Sequence, residues 1–304
     1  MKHILVVGSI NMDVVLEVPH IPAVGETVLS KAQSLVGGGK GANQAITAAR
    51  LGAKVSMIGR VGADTYGQQL LESLKSSGVN VQGVEVDGQA PSGVAYICVS
   101  PDGENSIVVN SGANGRVDVA QIDRHKELFD QVDYCLLQME IPLETVEYVL
   151  KLCRAKGVKA ILDPAPAHQV APELLEGLYI LVPNESELKV LCGTSGRELE
   201  KMAWNLREQG VENVIVTLGG EGCLAVLGNK AEYYPAQKFP VVDTTGAGDS
   251  FVGGLTVGLA EGMDFPTAIR FASFVAGLTV SKAGAQTSFP DRATVDHYFG
   301  GDHR

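Results

Sequence analysis

The chain has 304 residues, 45% of them hydrophobic, and a formal net charge of −11. That composition supports one large packed domain or two smaller ones, and the acidity argues against nucleic acid and anionic membranes as partners. A polyanionic ligand would have to arrive with a metal ion or meet a locally positive pocket.

The first apolar run, residues 4–7, reads as a buried strand ending at Gly8. Asn11 and Asp13 follow too soon for a signal peptide. Residues 14–18 form a possible further strand, broken by Pro19 and Pro22. Helical spacing runs over 42–51 and stops at Gly52; a strand follows over 55–59, then a helix over 66–76 ended by Gly78. Residues 93–99 and 106–110 alternate around Pro101-Asp102-Gly103, which predicts a hairpin. From residue 118 onward the two patterns take turns. Helices are predicted near 118–129, 142–155, 185–191 and 197–209, and strands over 134–138, 159–162, 179–182 and 214–218. Residues 223–227 and 232–235 suggest a second hairpin. The runs 251–259 and 271–280 are too short and too rich in small residues to span a bilayer, and read as buried helices. The alternation predicts an α/β fold: a mostly parallel sheet with helices on both faces, in one domain over 1–304. The segment after Asp13 and the 93–110 hairpin do not fit that sheet and suggest a small one of their own.

The five cysteines (Cys98, Cys135, Cys153, Cys192, Cys223) include no Cys-x-x-Cys pair, so they read as free thiols in a reducing, cytoplasmic compartment. The six histidines form no zinc-ligand pattern.

Chemistry concentrates in a few stretches. Asn11 and Asp13 place an amide and a carboxylate at a strand end, a pair able to grip vicinal hydroxyls or simply to make a turn. Gly37-Gly38-Gly39-Lys40-Gly41 precedes a helix, but the spacing fails the Walker pattern, and strand one lacks Gly-x-Gly-x-x-Gly. These glycines bring backbone close to a small polar ligand or make a flexible turn. Asn184-Glu185-Ser186-Glu187 opens a helix and has an ordinary capping explanation. Thr217-Leu218-Gly219-Gly220-Glu221-Gly222 lies between a strand and a hairpin and reads as a β-turn or as a bed for a flat ligand.

The stretch Asp243-Thr244-Thr245-Gly246-Ala247-Gly248-Asp249-Ser250-Phe251 says most. It turns a loop into a helix N-terminus, where bare amides carry partial positive charge. Glycines there let an anion reach those amides. Asp249 beside an anion site costs repulsion unless it works as a general base; the plainer alternative is an N-cap aspartate on a buried helix.

This stretch resembles the C-terminal signature of the ribokinase-like (PfkB) family of sugar and nucleoside kinases, and 37–45 resembles the N-terminal one. The resemblance covers nearly the whole chain. It implies ATP-dependent phosphorylation of a sugar, D-ribose at O5 first among candidates, with deoxyribose, fructose or a nucleoside as alternatives. A sugar sensor that kept the fold and lost the chemistry is a further alternative. The resemblance makes Asp249 the base and the amides of Gly246, Ala247 and Gly248 the anion hole. It places Asn11, Met12, Asp13, Gly39, Lys40, Gly41, Ala42, Asn43 and Glu140 at the sugar. It assigns Asn184, Thr217–Gly222 (including Leu218, Gly219, Gly220 and Glu221), Gly248, Asp249 and Ser273 to the nucleotide, although many relatives carry asparagine where Ser273 stands. Glu187 is implied near a hydrated Mg²⁺. Asp243, Thr245, Thr279, Lys282, Gly284 and Ser288 are implied around an activating K⁺. The small sheet, from about 12–36 and 91–113, is implied to be a lid over the sugar and the face of a homodimer.

Overall fold

The computed structural model describes residues 3–301. The chain opens with β1 (His3–Val7), β2 (Asn11–Glu17) and β3 (Ala32–Gly38), then α1 (Lys40–Arg50), β4 (Lys54–Gly62), α2 (Thr65–Ser76), β5 (Val79–Asp87), β6 (Gly93–Val99) and β7 (Asn105–Asn110). It continues through α3 (Val119–Arg124), β8 (Tyr134–Gln138), α4 (Leu143–Lys156), β9 (Lys159–Asp163), α5 (Pro172–Leu175), β10 (Ile180–Leu181), α6 (Glu185–Leu191), α7 (Leu199–Glu208), β11 (Asn213–Thr217), β12 (Cys223–Leu227) and β13 (Lys230–Tyr234). Three helices close it: α8 (Ala247–Ala260), α9 (Phe265–Val280) and α10 (Arg292–Gly301).

Nine strands form the large sheet in the order β13-β12-β11-β10-β9-β8-β1-β4-β5, parallel from β11 to β5 and antiparallel at the β12–β13 edge. The central strands are apolar along most of their length because both faces are covered, with polar residues at their ends. Alternation then sorts them. Ile4 and Val6 of β1 join the core under α1, α2, α8 and α9, while Leu5 and Val7 join the core under α3, α4, α6 and α7. The result is three layers, as the alternating pattern predicts.

The second sheet has the order β3-β2-β6-β7. Its outer pairs are antiparallel, but its central pair, β2 with β6, is parallel, so the sheet is mixed. Two strands escape the sequence reading. β5 is an edge strand with one face exposed, and β3 is largely solvated, so neither carries a continuous apolar signal. The helix predicted over 118–129 is α3 followed by a 3₁₀ turn over Lys126–Gln131. Among the described residues no helix is long and apolar enough to cross a membrane.

Candidate active site

The C-terminal ends of the parallel strands converge. β1 leads to Ser9-Ile10-Asn11, β8 to Glu140, β9 ends on Asp163, β10 leads to Asn184, and β11 ends on Thr217. Strand order reverses beside β1, between β4 and β8, the place where open α/β sheets take their ligands.

Asp249 lies in the first turn of α8 and is only 6% exposed. Asn43 Nδ2 donates to its Oδ2 at 2.8 Å, and Gln44 Nε2 donates to its Oδ1 at 3.5 Å. The same Gln44 amide donates to Asp163 Oδ2 at 2.9 Å, and its oxygen accepts from Gln138 Nε2 at 2.6 Å. Consecutive residues of α1 thus hold both oxygens of one carboxylate. They reach it because α1 and α8 pack closely: a Cβ built on Gly253 would stand 2.9 Å from Thr47 Cβ. Gly253→Ala should therefore force the helices apart, costing about 1–3 kcal/mol in a denaturant melt and lowering turnover more than stability alone explains.

Four acids surround Lys40, which is half-buried at the start of α1. Burial pulls the ammonium pKa down, but Asp163, Asp249, Glu140 and Glu187 outweigh it, and the group ends above the ordinary lysine range. Asp163 is pushed up, first by burial and then by the neighbouring acids, against the pull of Lys40. Asp13 is pushed up to about 7 by burial, with Glu140 and Asp249 adding to it. A locally positive lysine thus sits within an acidic chain.

Asn11 and Asp13 share one face of β2. A Cβ at Gly38 would fall 2.2 Å from the Asp13 carboxylate, so only glycine leaves that acid its place. Asn11 is fixed from behind by Asn114, whose Nδ2 donates to Asn11 Oδ1 at 2.6 Å and to Ile10 O at 3.0 Å; Asn114 Oδ1 accepts from Ile10 N at 2.9 Å. That leaves Asn11 presenting its amide nitrogen as donor. Glu140 accepts from Ser9 Oγ and, at 3.2 Å, from Lys40 N. Two expected substrate residues differ. Met12 points to the opposite face of β2, into the core, and Ala42 is packed in that same core, so only their backbones remain for a ligand.

The expected anion hole is also trimmed. Gly246 caps α8 at φ 76°, a left-handed conformation suited to glycine. The Ala247 amide donates to Thr244 O at 3.2 Å, closing the turn, and so is already committed. Among the described residues the amides of Gly246, Gly248 and Asp249 have no such acceptor.

Asn184 and Glu187 form a reciprocal capping box on α6, each bond at 2.8 Å, leaving Asn184 Nδ2 and Glu187 Oε1 for a ligand. In the loop after β11, a Cβ on Gly219 or Gly220 would meet open space, whereas one on Gly222 would meet Tyr234 O at 2.0 Å. Gly222 therefore serves the turn into β12, and Leu218 packs its side chain against the core, leaving only its backbone for a ligand; Thr217, Gly219, Gly220 and Glu221 remain on the open side. Ser273 is buried on α9.

Asp243 has both oxygens engaged, by Thr245 N and Oγ1 and by Gly284 N at 2.8 Å. These bonds outweigh burial and hold its pKa below the usual carboxylate range. Thr279 and Ser288 spend their hydroxyls on Val275 O and Ala285 O, and the Lys282 side chain is exposed, so this segment can offer a cation only carbonyls and one carboxylate.

The strand-end position, the fixed buried acid and the open helix mouth define an enzyme that passes an anionic group to a small polar acceptor. The chain belongs to the pfkB family of carbohydrate kinases, whose model matches residues 1–292; it is a sugar phosphotransferase. It is 41% identical over 298 residues to the ribokinase of Bacillus subtilis, covering 97% of this chain and 99% of that one. It is 34% identical over 299 residues to the deoxyribokinase of Salmonella typhi, covering 97% and 98%. The Arabidopsis thaliana ribokinase complexed with ribose and ATP superposes with a TM-score of 0.91 at 35% identity, over 98% of each chain.

Proposed function

We propose that the chain transfers the γ-phosphoryl group of ATP to O5 of D-ribose, giving D-ribose 5-phosphate. The observation that carries this reading is Asp249, buried at the first turn of α8 with both oxygens already fixed by the Asn43 and Gln44 amides. A base held this way spends no reorganisation when it takes the proton of the primary hydroxyl. Asn11, Asp13, Asn43 and Glu140 hold the other hydroxyls. The free amides of Gly246 and Gly248 receive the charge on the moving phosphoryl group, and Lys40 assists from the sugar side. ATP lies along 217–221 with its phosphates toward Asn184.

Two ions fit the residues present. Among the described residues no three His, Cys, Asp or Glu gather into a metal cage. That suits Mg²⁺, which keeps its waters and leans on phosphates, with Glu187 nearby to offset phosphate charge. The carbonyls around Asp243 suit a large, weakly hydrated ion such as K⁺, which would order the loop before α8. The small sheet acts as a lid that excludes water. Tyr96 and Val108, paired on one face of this sheet and the latter 65% exposed, support a homodimer formed through it; Ile107 and Val109 are exposed on the other face. Light scattering should give twice the chain mass, and Val108→Asp should return it to one.

The deoxyribokinase relative keeps deoxyribose as the second reading. Coupled ADP release with ribose, 2-deoxyribose, fructose and inosine, with and without potassium, tests both. Ribose should turn over fastest, and faster with potassium. A tenfold preference for another acceptor overturns the ribose assignment, and ribose binding without turnover favours a sensor.

A further inference from the structure

Gln286 lies in the loop between α9 and α10, outside both sequence signatures, and is 5% exposed. Its Nε2 donates to Asn43 Oδ1 at 3.1 Å, and its Oε1 accepts from Ser73 Oγ of α2 at 3.3 Å. Arg50 Nη1 holds its backbone carbonyl at 2.6 Å. A Cβ on Gly37 would stand 2.4 Å from Gln286 Oε1, so that glycine makes room for this amide.

We infer that Gln286 is a positioning residue for the base: it fixes which end of the Asn43 amide faces Asp249. This rests on the reading of Asp249 as base. An asparagine amide has a donating and an accepting end of nearly equal size. Flipped, Asn43 would set its oxygen against the Asp249 carboxylate, acceptor against acceptor. With Gln286 in place, the flip would also set the Asn43 nitrogen against Gln286 Nε2, donor against donor, so the two amides could turn only together. The Ser73 hydroxyl donates to Gln286, Gln286 donates to Asn43, and Asn43 donates to Asp249. A second relay, Gln138 to Gln44 to Asp249, arrives from the other side. The base is thus held between two hydrogen-bonded chains, and the Gln286 chain ties it to α2 and to the loop containing Gly284 and Ser288.

The test is a double-mutant cycle on sugar turnover. Gln286→Leu should lower kcat/KM about 10–100-fold with Asn43 present, but less than threefold in an Asn43→Ala background. Gln286→Glu, which keeps the shape and offers only acceptors, should behave like Gln286→Leu. Equal losses in both backgrounds would overturn the relay, as would full activity in Gln286→Leu. The Asn43 side-chain amide resonance, assigned by its absence from Asn43→Ala, reads the same contact without turnover. It should shift and lose exchange protection in Gln286→Leu, and an unchanged resonance would overturn the inference. A wild-type protein that turns over no sugar defeats the functional reading alone, because the resonance still decides the relay.

Discussion

Asp249→Asn is expected to lower kcat by roughly 10²–10⁴-fold while leaving sugar affinity within a small factor. Asparagine keeps the shape and removes the proton acceptor. It also accepts only one of the two amides now pointing at it, from Asn43 and Gln44. One donor is left facing a donor, so a stability loss of about 1–2 kcal/mol should accompany the rate loss. Steady-state ADP release and a urea melt on the same protein separate the two effects. Near-normal turnover would remove Asp249 from the chemistry, because stability alone would not hide a missing base.

The second large effect concerns Asp13. Accepting two sugar hydroxyls through an ionised carboxylate contributes about 1.5–3 kcal/mol per bond, so Asp13→Asn should lower kcat/KM for the sugar by roughly 10²-fold or more. In the free protein this acid sits at about 7 against an ordinary 3.8, so the folded state holds the proton more tightly than the unfolded chain. Stability is therefore lost as pH rises from about 4 through 7, by at most about 4 kcal/mol. Two results follow. The wild-type kcat/KM should fall as pH drops below 7, because the protonated acid accepts poorly. Asp13→Asn should melt higher than wild type at pH 8, with the gap narrowing toward pH 4. A variant that melts lower at pH 8 would contradict the buried, acid-crowded setting. If Asp13 holds the sugar as proposed, the site trades stability for a charge that the substrate satisfies.

Much of this was legible in the chain. β1, β8 and β11 announce themselves because strands buried on both faces are apolar along most of their length. The loop before α8 announces itself because a helix mouth open to an anion needs glycine. What stayed hidden has a common physical cause. Asp163 ends β9 before a proline and reads as an ordinary strand end; its partner Gln44 is 119 residues away. Gln138, Gln286 and Asn114 are neutral amides with no period and no motif, and their meaning lies in which end points where. Met12 and Ala42 were drawn to the ligand by neighbours in sequence, and strand alternation and helix packing send their side chains elsewhere. Ala247 could not be distinguished from Gly246 and Gly248 until the turn spent its amide.

The position of β1 bears on how the molecule is made. The first strand lies inside the sheet, third from the β5 edge, and Ile4 and Val6 on one of its faces share a core with Phe289 and Val295. On the ribosome, that strand waits for β8 before its second edge is paired; α1 covers one of its faces early, and α8 and α9 complete the core beyond it. Such distant pairings are slow, and the nascent chain carries exposed apolar surface while it waits. The helix that brings Asp249 also completes this core by packing on α1 and α9, so the proposed site and the finished core are assembled together.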